Sequence, residues 1–141
     1  MEVKNLPAPL APSLDKTERE LILLKNGPQI RDISESELTK QLLVLIGKTH
    51  LQAGQKPDEQ NINLTINDLY QDLNKYFGTF TFSEIEHSFK LGLMGEFGSY
   101  FGFNNKTYLG WTKGLLRAQN RLNANKKQAA FLSELNKPKE P

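Results

Sequence analysis

A chain of 141 residues is the size of one domain, and 38% apolar with 24% charged residues can fold around a single core while leaving polar tails. Cysteine is absent, which excludes disulfides, thiolate metal sites and cysteine nucleophiles and suits a reducing, cytoplasmic compartment. The formal charge of +2 hides an imbalance: residues 1–96 hold ten Lys/Arg against fourteen Asp/Glu, a net of −4, and residues 97–141 eight against two, a net of +6, so the C-terminal part would attract a polyanion.

The N-terminal segment carries Pro7, Pro9 and Pro12 among small residues, which holds it near extended geometry and predicts a disordered tail over 1–12. It lacks the apolar stretch of a secretory signal, and the longest apolar run, Leu42 to Ile46, is too short to span a bilayer. The expectation is a protein neither exported by that route nor inserted in a membrane. Asp15 with Glu18 forms a capping pair for a short helix bearing Leu21, Ile22 and Leu24, stopped by Gly27-Pro28, so 13–33 reads as a short helix and linker.

From 34 to 135 the pattern is that of one helical domain. Ser34 and Glu37 open a helix with Leu38, Leu42, Leu45 and Ile46 at helical spacing, ending near Ala53-Gly54. Residues 54–64 are polar and read as a loop. Thr65 with Asp68 predicts the next helix, whose core face is Ile66, Leu69, Tyr70, Leu73, Tyr76 and Phe77, with Gly78 as a left-handed stop. Thr81 and Glu84 cap another, carrying Phe82, Ile85, Phe89 and Leu93. Phe80-Thr-Phe82 alternates but is too brief for a sheet, so the fold class is all-α.

The stretch Met94-Gly-Glu-Phe-Gly-Ser-Tyr-Phe-Gly-Phe-Asn-Asn-Lys-Thr-Tyr-Leu-Gly-Trp111 resembles the helix-turn-helix of bacterial and phage DNA-binding proteins. In that motif Gly98 would allow a close crossing and Gly102 a turn with positive φ, while Phe97, Phe101, Phe103, Tyr108 and Trp111 would point inward. Asn104 or Asn105 would cap the second helix, presenting Asn105, Lys106 and Thr107 to base edges. Gly95 and Gly110 depart from the motif by lowering helix propensity, and an aromatic-rich helical hairpin fits the same residues. With the preceding Phe89-Lys-Leu-Gly-Leu, the segment is also similar to small proteins of Bacteroidota phages and mobile elements, which implies an accessory role in replication or regulation.

Beyond Trp111 the spacing of Tyr108, Trp111, Leu115, Ala118, Leu122, Asn125, Ala129 and Leu132 predicts one long helix with a heptad-like seam, able to pair two copies or a protein partner. Lys106, Lys113, Arg117, Arg121 and Lys127 fall off that seam and form a basic side, as a phosphate backbone or plain solvation would each favour. A disordered tail over 136–141 ends the chain.

Catalytic signals are missing. His50 and His87 are single and lack ligand partners, Asp68 and Asp72 share a helix face that capping already explains, and no glycine-rich phosphate loop follows a strand. No metal, cofactor or enzymatic activity is expected. The sequence therefore predicts a nucleic-acid-binding accessory protein, DNA ahead of RNA, with Asn104, Asn105, Lys106, Thr107, Lys113, Arg117 and Arg121 as contacts. The alternative is a non-enzymatic adaptor of the phage-assembly type that uses the seam and the N-terminal arm.

Overall fold

The computed structural model describes residues 8–56, 58–100 and 102–138, and among them the chain is all-α, with six helices and no strand. The helices are α1 (Lys16–Leu23), α2 (Glu35–Gln52), α3 (Glu59–Phe77), α4 (Phe82–Leu93), α5 (Asn105–Arg117) and α6 (Gln119–Leu135), with a 3₁₀ turn at Ile30–Asp32. Residues 1–7 and 139–141 of the expected tails, and Phe101, lie outside the described residues.

The start signals act locally and hold where a side chain reaches the third backbone N–H. Asp15 and Glu18 form a reciprocal capping box on α1, Thr81 and Glu84 another on α4, and Ser34 accepts from the Glu37 N–H on α2. The predicted start of α3 is corrected: the cap is Asp58, seven residues before Thr65, and it accepts from the Gln60 N–H. That earlier turn adds Ile62 to the core, whereas Tyr76, expected in the core, is 62% exposed. Gly78 does not stop α3 by a left-handed turn, since its φ is −59°. It is instead a close approach, where an added Cβ would lie 2.9 Å from the Asn74 carbonyl oxygen.

The main core joins α2, α3, α4 and α5. Leu38, Leu42 and Ile46 of α2 face Leu69 and Leu73 of α3, while Ile85 and Phe89 of α4 meet Tyr108, Trp111 and Leu115 of α5. Phe89 stacks on Tyr108 at 4.9 Å between centroids, and Trp111 receives Phe89 and Tyr100 edge-on at 5.4 and 5.2 Å. Two glycines make room for this cluster: a Cβ on Gly92 would fall 2.2 Å from the Trp111 ring, and one on Gly114 2.6 Å from Phe97.

The tight helix-turn-helix turn is replaced by an open connection. Residues 94–100 and 102–104 contain no helix, and Gly95, Gly98 and Gly102 all have positive φ, so Phe97 packs from a loop. Gly98 faces open space, and the close crossing falls at Gly92 and Gly114.

The single long C-terminal helix is corrected to two. Ala118, with φ −61° and ψ 130°, leaves helical geometry and separates α5 from α6. The seam is broken with it: Tyr108, Trp111 and Leu115 are buried in the chain's own core, and α6 turns Arg121, Ala124 and Gln128 inward while Leu122 is exposed.

α6 packs on α1 around a second small cluster of Ala11, Leu14, Ile22 and Ala124, with Leu10 and Phe131 at its edge. The proline-rich segment therefore does not stand away as a tail over residues 8–12. The Ala11 N–H donates to Gln128 Oε1 at 3.0 Å, and Gln128 Nε2 donates to the Pro9 carbonyl at 2.9 Å, so one glutamine holds the extended segment on α6.

Candidate nucleic-acid interface

The predicted contacts cluster on α5, and its N-terminus is built by the residues that the sequence suggested. Asn104 is the cap, in extended geometry, and its Oδ1 accepts from the Thr107 N–H at 3.0 Å. Thr107 Oγ1 in turn donates to the Gly102 carbonyl at 3.1 Å, and Gly102 takes the positive φ of the turn. Asn104 and Thr107 thus fix the loop to the helix and remain at the surface or half-buried. Asn105 is half-buried, and its Oδ1 has no hydrogen-bond partner among the described residues.

Lys106, Lys113 and Arg117 are exposed on α5. At about 100° per residue, offsets of seven and eleven bring the three within roughly 20° of one line, so they form one row with axial steps of about 10 and 6 Å. Gly110 interrupts that row between Lys106 and Lys113. Nothing lies within 4 Å of the position of a Cβ there, and its φ is not positive, so neither packing nor backbone geometry in this chain requires a glycine.

Arg121 leaves the predicted row. It is 8% exposed, its Nη2 donates to Glu84 Oε2 at 3.3 Å, and its guanidinium lies over the Phe80 ring at 4.6 Å. Glu84 Oε1 also accepts from the Thr81 N–H, and Lys25 Nζ stands 3.8 Å from Glu84 Oε2. Lys127 is likewise engaged, donating to Glu18 Oε1 at 2.8 Å; the Asp15 backbone N–H first, and this contact after it, hold the Glu18 carboxyl below its ordinary pKa. The basic side expected along the whole C-terminal region is therefore a short row on α5. The other two cations tie α6 to α4 and α1.

A depression opens on each flank of the row, and Gly110 lines both. One, of about 740 Å³, lies between α5 and the end of α3 and is walled by Tyr76, Phe77, Leu109 and Leu116, with Lys106 and Lys113 on its rim. Lys75 Nζ sits 5.1 Å from the centre of the Tyr76 ring, adding a further cation at this edge. The other, of about 470 Å³, is bounded by Phe97, Tyr100, Asn104, Thr107 and Trp111, again with Lys106. Tyr76 and Gly110 are the features that sequence reasoning missed: the first was placed in the core, the second counted as a defect. The signal for Gly110 was present as a glycine four residues after Lys106 and three before Lys113, whereas Tyr76 sits at core spacing and gave none.

The histidines lie elsewhere. Burial holds both below their ordinary value of 6.5, with the Lys90 charge assisting at His87. His50 Nε2 is 3.5 Å from the Tyr108 hydroxyl, which burial pushes up to about 12, so that phenol keeps its proton at neutral pH. Among the described residues no group of three or more His, Asp or Glu side chains is placed to hold a metal ion, and no helix is long and apolar enough to cross a membrane. No protein-family model, curated protein or solved structure matches the chain.

Proposed function

We propose that this is a non-enzymatic nucleic-acid-binding accessory protein whose α5 row lies along a phosphate backbone. The observation that carries the reading is the alignment of Lys106, Lys113 and Arg117 on one exposed helix face, in a region without an acidic residue from Phe97 to Ser133. Coulomb attraction and counterion release from phosphate favour such a row, and Asn105 at its N-terminal end carries an amide next to it. The setting that the resemblance implies is DNA replication or regulation in a phage or mobile element, in the host cytoplasm.

Fluorescence anisotropy with labelled oligonucleotides over a salt series tests this. Three phosphate contacts predict a log–log salt slope near about −3 on duplex DNA and somewhat less on a single strand. The variant Lys106→Glu/Lys113→Glu/Arg117→Glu should lose binding and keep its fold, since all three side chains are exposed. Absence of binding by the wild type at low salt would overturn the proposal.

A second reading, an interaction module, is favoured by the outer face of α2. Leu43, Val44 and Leu51 are exposed there, Val44 at 69% and Leu51 at 73%, around a Gly47 with open space above it. A protein partner with a matching apolar face, a second copy of the chain included, would cover this patch.

A further inference from the structure

The α5 surface carries more than a row of charge, and resting on the nucleic-acid reading above, we infer that it is shaped for a single strand with unpaired bases. A duplex is held by its phosphates and keeps its bases stacked inside, so the row alone would suffice for it and both flanking depressions would stay empty. A single strand exposes bases that need an apolar or aromatic surface, and the depressions supply one on either side of the cations. Tyr76, 62% exposed at the mouth of the 740 Å³ groove, offers a ring to stack on, with Leu109 and Leu116 as the apolar floor and wall. On the opposite flank the 470 Å³ depression presents Tyr100 and Phe97.

Gly110 joins the two depressions. A glycine inside a helix costs stability unless geometry or packing requires it, and neither does here. Its missing side chain leaves a saddle between the depressions, midway between Lys106 and Lys113, where a sugar–phosphate chain can approach the helix backbone and drop bases to both sides. The roughly 10 Å axial step between the two lysines lets them reach the phosphates on either side of one such nucleotide. The ligand class is thus a single-stranded polynucleotide, with DNA and RNA sharing the features that the site addresses.

The experiment compares single-stranded DNA, single-stranded RNA and duplex DNA of equal length, for the wild type, Tyr76→Ala, Gly110→Leu and the charge-reversed triple variant. Anisotropy gives affinity, and 2-aminopurine fluorescence in the single strands reports base stacking. The wild type should prefer a single strand, with 2-aminopurine quenched on binding. Tyr76→Ala should weaken single-strand binding about tenfold, the order expected for one lost stacking contact, and relieve the quenching. Gly110→Leu should weaken it at least as much, and both variants should leave duplex binding within about twofold. Circular dichroism and a cooperative urea transition establish that the variants are folded, with the Gly110→Leu midpoint at or above that of the wild type because leucine is the better helix former. The DNA and RNA arms identify which strand is preferred. Salt-sensitive binding that is equal on duplex and single strand, and unchanged by Tyr76→Ala and Gly110→Leu, overturns this inference and leaves the phosphate row standing. Absence of binding in every arm overturns the row as well.

Discussion

Two regions of the molecule are held together by opposite means. The core between α2 and α5 is apolar and aromatic, with Leu38, Leu42, Leu69, Leu73, Phe89 and Tyr108 all but removed from water. The annex formed by residues 9–14, α1 and α6 has a small apolar cluster and is tied together by polar contacts, Lys127 to Glu18 and Gln128 to the backbone of Pro9 and Ala11; it joins the core through the Arg121–Glu84 pair and through Leu21 of α1, which is buried in the main cluster. An apolar core is non-directional and scales with buried area, so many sequences of the right pattern would form it. A polar attachment works only in one geometry, because an unmatched buried charge or amide is costly. The core thus provides the bulk of the stability, and the annex fixes which way α6 turns after Ala118.

The largest expected effect comes from the same truncation made in each region. Phe89→Ala removes a ring that contacts both Tyr108 and Trp111 and should lower unfolding free energy by about 3–5 kcal/mol. Phe131→Ala, at the half-buried edge of the annex, should cost about 1 kcal/mol. Urea denaturation gives both values. Equal losses would break the comparison, since the annex would then be an apolar core like the other.

Next in size is the buried ion pair. Arg121→Met strands the Glu84 carboxylate with only Lys25, 3.8 Å away, and should cost about 3 kcal/mol by the same measurement. Adding Glu84→Gln removes the stranded charge and keeps an acceptor for the Thr81 N–H, so the double variant should recover at least half of the loss. A double variant no better than Arg121→Met alone would show that Arg121 acts through its packing on Phe80 rather than through charge.

The same division explains what was legible in the sequence. Core positions in α2, α4 and most of α3 follow from spacing, and the caps Asp15, Ser34 and Thr81 from pairs three residues apart, because both signals act within one or two turns. A cap of α5 at Asn104 or Asn105 was readable for that reason, as was a basic side holding Lys106, Lys113 and Arg117, although Arg121 and Lys127 were counted in it too. The start of α3 was not, because Asp58 caps a first turn whose apolar content is the single Ile62. The break at Ala118 was hidden by a heptad-like spacing that runs straight through it. Arg121 looked like its exposed neighbours because its partner Glu84 is 37 residues away, and Lys127 pairs with Glu18 across 109. Contacts of that range leave no local pattern. The groove beside α5 was invisible in the same way, being walled by the length of α5 and by the end of α3, which is remote from it in sequence.

The smallest expected effect is a pH dependence, and its sign follows from three lowered pKa values. Burial holds His50 and His87 below 6.5 in the folded chain, so folding favours their neutral forms. Their contribution is complete above about pH 6.5 and is lost as pH falls through the lower folded values, because the unfolded chain binds more protons there. Glu18, held below 4.5 by the Asp15 backbone and by Lys127, contributes stability above pH 4.5 that disappears as pH falls through its folded value. The two windows act on different regions. His50 lies against Phe103 and Tyr108 at the core, whereas Glu18 joins α1 to α6. Between pH 7 and 5 the global urea midpoint should therefore decline slightly, and His50→Gln/His87→Gln should flatten that decline. Below pH 4.5, hydrogen exchange should quicken in α6 before it does in α3, as protonation of Glu18 releases Lys127 while the apolar contacts of α3 are indifferent to pH. Simultaneous loss of protection in α3 and α6 would mean that the annex and the core unfold as one unit, with the polar contacts no weaker a link than the apolar ones.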